Sequence, residues 1–242
     1  MCSSAVHIVA FDIHSCAEVL DAMGAPPGVD ADRIAAINRF VRREDQLRAW
    51  AGEMAARWLL CTELHTAPSQ IRFRRDANGK PQAEGLAIDY NVSHSGDWAV
   101  CALSSGAVGI DVEQHQPVDW KVCRICFTPG ERALLDAAAD EGERSKLFYR
   151  LWTLKESYIK ARGLGMQIDL QSFGMRPQGH TWRLSHSAHD DKQKWIWATP
   201  GFEETYSLAV CLAAETAAGE ETEPAVRRLR AEQILRLVYY AS

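Results

Sequence analysis

The sequence predicts an α+β fold built from two similar halves, and three observations carry that expectation. Stretches with strand periodicity and stretches with helical periodicity both recur along the chain. The segment "WAVCAL" at 98–103 is echoed by "LAVCLA" at 208–213, each following a turn-rich run. A Ser104-Ser105-Gly106 turn marks a boundary between them. The expected division is residues 1–106, residues 107–219 with the chemistry-bearing carboxylates, and a tail of residues 220–242.

The elements follow in order. "VHIVAFDI" (Val6 to Ile13) reads as a first strand, and "GAPPG" breaks the pattern. From Asp30 to about Cys61 the apolar positions Ile34, Ile37, Leu47, Trp50, Met54 and Trp58 mark one or two helices, rich in arginine. "QIRFRRDANGKPQ" suggests a short strand and an Asn78-Gly79 turn that presents Lys80. "AIDYNVSHSGDWAVCALSSGAVGIDVEQ" reads as three strands separated by Ser, Gly and Asp turns. Phe127 to Ala139 and Ser145 to Arg162 read as helices. "TWRLSH", "KWIWATP" and "TYSLAVCLAA" return to strands, and Glu221 to Tyr240 reads as a final amphipathic helix.

Composition bounds the function. The chain has 242 residues, of which 47% are hydrophobic and 24% charged, enough for one large domain or two small ones sharing a core. A net charge of -5 argues against generic nucleic-acid binding. The N-terminal "MCSSAVHIVAFDIHS" has no charged leader, and no apolar run reaches the roughly 20 residues of a membrane span, so a cytoplasmic protein is expected. Seven cysteines stand mostly in apolar contexts. Cys123 and Cys126 form a C-x-x-C with no second Cys/His pair at zinc spacing, so they read as small buried hydrophobes.

The strand "AVGIDVE" alternates with period two. Val108, Ile110 and Val112 face one way; Gly109, Asp111 and Glu113 face the other. Two carboxylates two positions apart stand about 6 to 7 Å from each other along a strand and repel if unpaired. Either they are two solvated acids on an exposed edge, or a hard divalent cation such as Mg²⁺ or Mn²⁺ lies between them. Mg²⁺ would leave room for a substrate phosphate.

The stretch "LWTLKESYIKARGLGM" at 151–166 sorts most of its residues cleanly on a helical wheel. Leu151, Trp152, Leu154, Tyr158, Ile159 and Ala161 cover one arc; Thr153, Glu156, Ser157 and Lys160 cover the other. Lys155 and Arg162 project into the apolar arc. Arg162 stands near the helix end, where it can bond the last carbonyls. Lys155 is mid-helix and needs an anionic partner at the edge of the core; snorkelling is the alternative, and a phosphate would serve. Ser93, His94 and Ser95 in "NVSHSG" supply hydroxyls, an imidazole and turn amides for a phosphate cradle.

Four segments in order, "NGKP", "NVSHSGDWAV", "VGIDVE" and "FYRLWTLKESYIKARGLGM", resemble the 4'-phosphopantetheinyl transferases of the surfactin-synthetase-activating type, from about Phe40 to Val210. The resemblance implies a pseudo-twofold monomer of two α+β halves with coenzyme A and the active site in the cleft between them. It implies transfer of phosphopantetheine from coenzyme A to a serine of an acyl or peptidyl carrier protein. By position, Asp111, Glu113 and Glu156 would hold Mg²⁺. Lys80, Ser93 and His94, with Arg75 beside them, would meet the 3'-phosphate end of the nucleotide. Lys155 and Lys160 would meet the pyrophosphate, and Arg48 falls in the basic helix around coenzyme A. The residues themselves leave two other readings open, a metal-dependent hydrolase of a nucleotide or of coenzyme A and a homologue that only binds coenzyme A or a carrier.

Overall fold

Strand β1 (His7–Asp12) opens the fold in the computed structural model, which describes residues 6–165, 168–187, 193–214 and 224–240. The strand stops at Asp12 because that carboxylate accepts from the amides of His14 (3.1 Å) and Ser15 (2.9 Å), capping helix α1 (Ile13–Met23). Ile13, expected to close the strand, opens this helix instead. The basic region divides into α2 (Ala31–Asn38) and α3 (Arg43–Leu64). The short hairpin β2 (Phe73–Arg75) and β3 (Pro81–Ala83) turns at Gly79, whose φ of 87° no other residue type adopts easily.

The three strands read from the middle of the chain are β4 (Asp89–Ser95), β5 (Trp98–Ser104) and β6 (Val108–Gln114). The helix expected from Phe127 to Ala139 is α5 (Pro129–Asp136), and a separate short helix, α4 (Cys123–Cys126), precedes it. A capping box restarts the chain at Thr128: its hydroxyl accepts from the Glu131 amide, and the Glu131 carboxylate accepts from the Thr128 amide. Helix α6 (Glu141–Arg162) ends where Gly163 takes a left-handed φ of 64°. Hairpin β7 (Phe173–Gln178) and β8 (Thr181–Ser187) follows, then β9 (Trp195–Ala198) and β10 (Tyr206–Ala213).

The final segment departs from the expected helix. Glu221 to Glu223 lie outside the described residues, Val226–Arg228 form strand β11, and helix begins only at α7 (Ala231–Ile234), followed by a π-type turn to Tyr239. The edge of β1 explains it. β11 pairs in parallel with β1, Ile8 opposite Val226, so backbone groups that a helix would satisfy internally are satisfied by the sheet. Leu229, Ile234 and Val238 then bury in the core of the first half.

Besides the two hairpins β2-β3 and β7-β8, the described residues form two larger sheets, in the orders β11-β1-β5-β4 and β6-β10-β9. The echoed segments are the central strands β5 and β10. Alternation along the strands builds four layers. Val9, Phe11, Ala99, Cys101 and Leu103 face α3; Ala209, Cys211, Trp195 and Trp197 face α6. The remaining faces meet each other through Ile8, Ala10, Val100 and Ala102 on one side and Val108, Ile110, Val112, Leu208, Val210 and Leu212 on the other. The fold is therefore helix, sheet, sheet, helix, with two similar α+β halves. The apolar face predicted for β6 is the one buried between the sheets, which leaves Gly109, Asp111 and Glu113 toward α6. Among the described residues no helix is long and apolar enough to cross a membrane.

Candidate active site

Gly109 sets the distance between β6 and α6. A Cβ there would stand 2.0 Å from the Ser157 carbonyl oxygen and 2.3 Å from the Ala161 nitrogen, so the helix backbone lies directly on the strand. Ser157 and Ala161 are flanked on the helix by Glu156 and Lys160, which are thereby brought over Asp111. The Lys160 ammonium reaches Asp111 Oδ1 at 2.6 Å and Ser93 Oγ at 2.9 Å. Asp111 is buried, and its second oxygen, Oδ2, has no hydrogen-bond partner among the described residues. A buried carboxylate oxygen without a partner is costly and uncommon.

Strand β4 reaches β6 by an unusual route. Its alternate side chains take the β6 amides that no strand pairs: Asp89 from Val108 (2.9 Å), Asn91 from Ile110 (2.9 Å), Ser93 from Val112 (3.4 Å) and Ser95 from Gln114 (3.1 Å). The constant offset means that the two strands run parallel, set apart by one side chain. The polar alternation of "DYNVSHS" supplies this seam, while Tyr90 turns into the core of the first half. Ser93 and Ser95 also donate to carboxylates, Ser93 to Asp111 Oδ1 (2.8 Å) and Ser95 to Glu113 Oε2 (2.8 Å).

The carboxylates feel one another. Burial first, then the Asp111 charge, raises the carboxyl of Glu113 above its ordinary range, and the same two causes in the same order raise Glu156. Among the described residues no three His, Cys, Asp or Glu side chains are gathered closely enough to enclose an ion. The chemistry of the donors nonetheless fits a hard divalent cation: the Asp111 charge raises both Glu113 and Glu156, and one buried Asp111 oxygen stands unpartnered.

The other expected residues fall into two groups. Arg48, Ser93, His94 and Lys160 come together around the β4–β5 turn. Arg48 donates to the Gly96 carbonyl (2.7 Å) and to Asp45 (2.8 Å). Desolvation first, then the charges of Lys160 and Arg48, lowers the His94 imidazole below its ordinary value. Such a cationic corner suits an anion. Arg75 is exposed on the β2–β3 hairpin and donates to the Gly79 carbonyl (2.7 Å).

Two expectations are corrected. Lys155 faces no ligand site: it is fully buried, 2.9 Å from both oxygens of Glu131 and 2.8 Å from the Phe173 carbonyl, with its ammonium 4.4 Å from the centre of the Phe173 ring. All three of its protons have acceptors. Glu131, which also accepts from the amides of Thr128 and Met175, is the anion that Lys155 required. Lys80 lies on its turn as expected, but its ammonium pairs with the Asp89 carboxylate and reaches the carbonyls of Val108 (3.0 Å) and Ala161 (3.5 Å). It ties the hairpin to β4, β6 and α6. Arg162 donates to the Tyr158 hydroxyl at 3.2 Å. Among the described residues six cysteines are buried thiols, Cys123 and Cys126 included.

Comparison with known proteins gives a consistent picture. Residues 107–211 match the family model described as the 4'-phosphopantetheinyl transferase superfamily, and residues 25–106 match one described as 4'-phosphopantetheinyl transferase, N-terminal. A 4'-phosphopantetheinyl transferase of Bacillus subtilis is 34% identical over 188 residues, covering 76% of this chain and 82% of that protein. The 4'-phosphopantetheinyl transferase Sfp of Bacillus subtilis (strain 168) is 33% identical over 176 residues, 72% of this chain and 78% of that one. The human L-aminoadipate-semialdehyde dehydrogenase-phosphopantetheinyl transferase is 31% identical over 201 residues, 73% and 64% respectively.

Proposed function

Because the chain belongs to the 4'-phosphopantetheinyl transferase superfamily, we propose that it moves the 4'-phosphopantetheine group of coenzyme A onto a serine of an apo acyl or peptidyl carrier protein. Adenosine 3',5'-bisphosphate is the other product. The observation that carries this reading is the meeting of α6 with β6, where Lys160 and Glu156 stand over Asp111 and Glu113 and one Asp111 oxygen has no partner.

Asp111, Glu113 and Glu156 would hold Mg²⁺, or Mn²⁺ in its place. When bound, such an ion withdraws charge from a pyrophosphate and neutralises what builds up on it. The protein groups do the rest. The carrier serine oxygen attacks the phosphorus nearest the pantetheine, and the bond from that phosphorus to the adenosine side breaks. Glu156 accepts the serine proton. Lys160 meets the charge on the leaving phosphate. Arg48 and His94, at the β4–β5 turn, face the nucleotide phosphates. Lys80 contributes by fixing the hairpin that carries Arg75. We take one chain as the working unit, divided near residues 106 and 219, each half giving one wall of the cleft. Carrier domains that are acidic would meet a basic rim on this chain.

The test is incubation with coenzyme A, Mg²⁺ and an apo carrier, with mass spectrometry of the carrier serine. Gain of one phosphopantetheine is expected, and Glu156→Gln should lower kcat by about 10² or more with the fold intact. Cleavage of coenzyme A at full rate with no carrier present would instead identify a hydrolase.

A further inference from the structure

The seam between β4 and β6 does more than join two sheets. Of its four side chains, Asp89 and Asn91 meet β6 amides ahead of the carboxylates, whereas Ser93 and Ser95 meet amides and carboxylates together. Each serine oxygen accepts the amide that follows an acid, Val112 after Asp111 and Gln114 after Glu113, and gives its proton to that acid at 2.8 Å. The device repeats at a two-residue interval on both strands. A hydroxyl has a single proton, and an oxygen held by a backbone amide has little freedom over where to send it. Each serine therefore fixes one oxygen of its carboxylate and leaves the other aimed elsewhere. For Asp111 that other oxygen is the unpartnered Oδ2.

We propose that Ser93 and Ser95 are positioning residues that pre-set Asp111 and Glu113 for a divalent cation. The role assigned to Ser93 thus shifts from reading a nucleotide phosphate to orienting a ligand carboxylate. Pre-orientation matters here because like charges crowd the site. A carboxylate free to rotate would swing away from its neighbours, and gathering it again would weaken binding. Partners that orient metal ligands are typically worth 10- to 100-fold in affinity. This inference rests on Asp111, Glu113 and Glu156 being the metal ligands.

The experiment is direct Mn²⁺ binding to the free protein, read by electron paramagnetic resonance, with no coenzyme A or carrier present. Ser95→Ala should weaken Mn²⁺ about tenfold or more, and Ser95→Thr, which keeps the hydroxyl on a strand that tolerates β-branching, should restore it to within about threefold. In transfer assays the Mg²⁺ requirement of Ser95→Ala should rise while KM for coenzyme A stays within about twofold. Asn91→Ala is the control for a merely structural seam, since Asn91 holds the Ile110 amide and touches no carboxylate. It should lower the unfolding midpoint without moving Mn²⁺ affinity. Should Ser95→Ala bind Mn²⁺ like wild type, or should Asn91→Ala weaken it equally, the positioning role is overturned. A wild-type protein that binds no Mn²⁺ overturns the metal reading itself, and the proposal with it. A protein that binds Mn²⁺ with the expected serine dependence but modifies no carrier overturns only the assigned reaction.

Discussion

Replacing Lys155 with methionine separates a structural role from a ligand-binding one. The Lys155 ammonium sits 2.9 Å from both Glu131 oxygens and 2.8 Å from the Phe173 carbonyl, with neither side chain measurably exposed beyond 1%. Burial lowers the Lys155 ammonium from its ordinary range, and Glu131 opposes that shift. Removing one member of a buried pair costs roughly 3–5 kcal/mol, because the other charge is left uncompensated. Lys155→Met falls at the lower end, since Glu131 keeps the Thr128 amide, the Thr128 hydroxyl and the Met175 amide as donors. At about 3 kcal/mol the unfolding midpoint of a domain this size should fall by roughly 6–12 °C. Glu131→Gln falls at the upper end, because it strands the ammonium and turns an amide NH₂ toward groups that are already donors. The double variant should lose about 3 kcal/mol less than the sum of the single losses. The assays are chemical denaturation of the four proteins and, well below each midpoint, KM for coenzyme A. Lys155→Met should keep that KM within about threefold. A midpoint unchanged within about 0.5 kcal/mol, together with a KM raised tenfold, would show that Lys155 meets the ligand and that the burial argument fails.

Three other perturbations test the site and the core. Gly109→Ala drives a methyl to within 2.0 Å of the Ser157 carbonyl, so α6 must move off β6; about 1–3 kcal/mol of stability should go, and transfer should fall more than tenfold in protein that is still folded. Wild-type stability and rate in that variant would mean that the close approach is dispensable. Lys160→Met removes the ammonium that shares Asp111 Oδ1, so Mn²⁺ should bind the free protein several-fold more tightly while transfer drops about 10²; weaker Mn²⁺ binding would contradict this. Alkali should unfold the protein through its thiols. Burial pushes Cys16 up to about 12 and Cys61 up to about 11, whereas unfolded thiols ionise near about 8.5. Raised folded values mean that this stability is complete below about pH 8.5 and is lost as pH rises toward the folded values. Between pH 7.5 and 9.5 each thiol should contribute a loss of about 1.4 kcal/mol. Denaturation midpoints of wild type and a Cys16→Ala/Cys61→Ala variant at the two pH values should differ accordingly, and parallel losses would refute the assignment.

What the sequence discloses about the site depends on whether the information is periodic. The β6 alternation is a property of one strand, and it sorts Val108, Ile110 and Val112 from Asp111 and Glu113 correctly without knowledge of any neighbour. The wheel of α6 likewise shows that Lys155 is out of place and needs an anion. It cannot say which anion, because Glu131 is 24 residues away on another element. The Thr-Pro-Gly-Glu run at 128–131 does announce a capping box, but a carboxylate that caps its own helix gives no sign that it also reaches α6. Lys80 fails for a different reason. A turn motif fixes where the backbone goes, whereas the direction of a four-carbon side chain is decided by Asp89 and by the carbonyls of Val108 and Ala161. In the tail, the spacing of Val226, Leu229 and Ile234 serves a helix as well as a strand followed by a turn, and the free edge of β1 decides between them.

The seam is the instructive case, because its residues were visible and its logic was not. Ser93 and Ser95 read as turn residues, and their hydroxyls as part of a phosphate cradle. They lie instead on a strand at the edge of one sheet, beside the edge of another. Two edge strands that run parallel and do not share a backbone ladder leave a row of amides unmatched, and buried amides must be matched. Short side chains with oxygen acceptors close that gap, which is a sufficient structural reason for Asp, Asn, Ser and Ser there. The last two stand opposite the acids and each donates its hydroxyl proton to one of them. An ordinary backbone ladder at this junction would satisfy the amides equally well and leave Asp111 and Glu113 free to turn. The spacing between the halves is therefore what admits the serines, and through them the order of the carboxylates that Gly109 lets α6 reach.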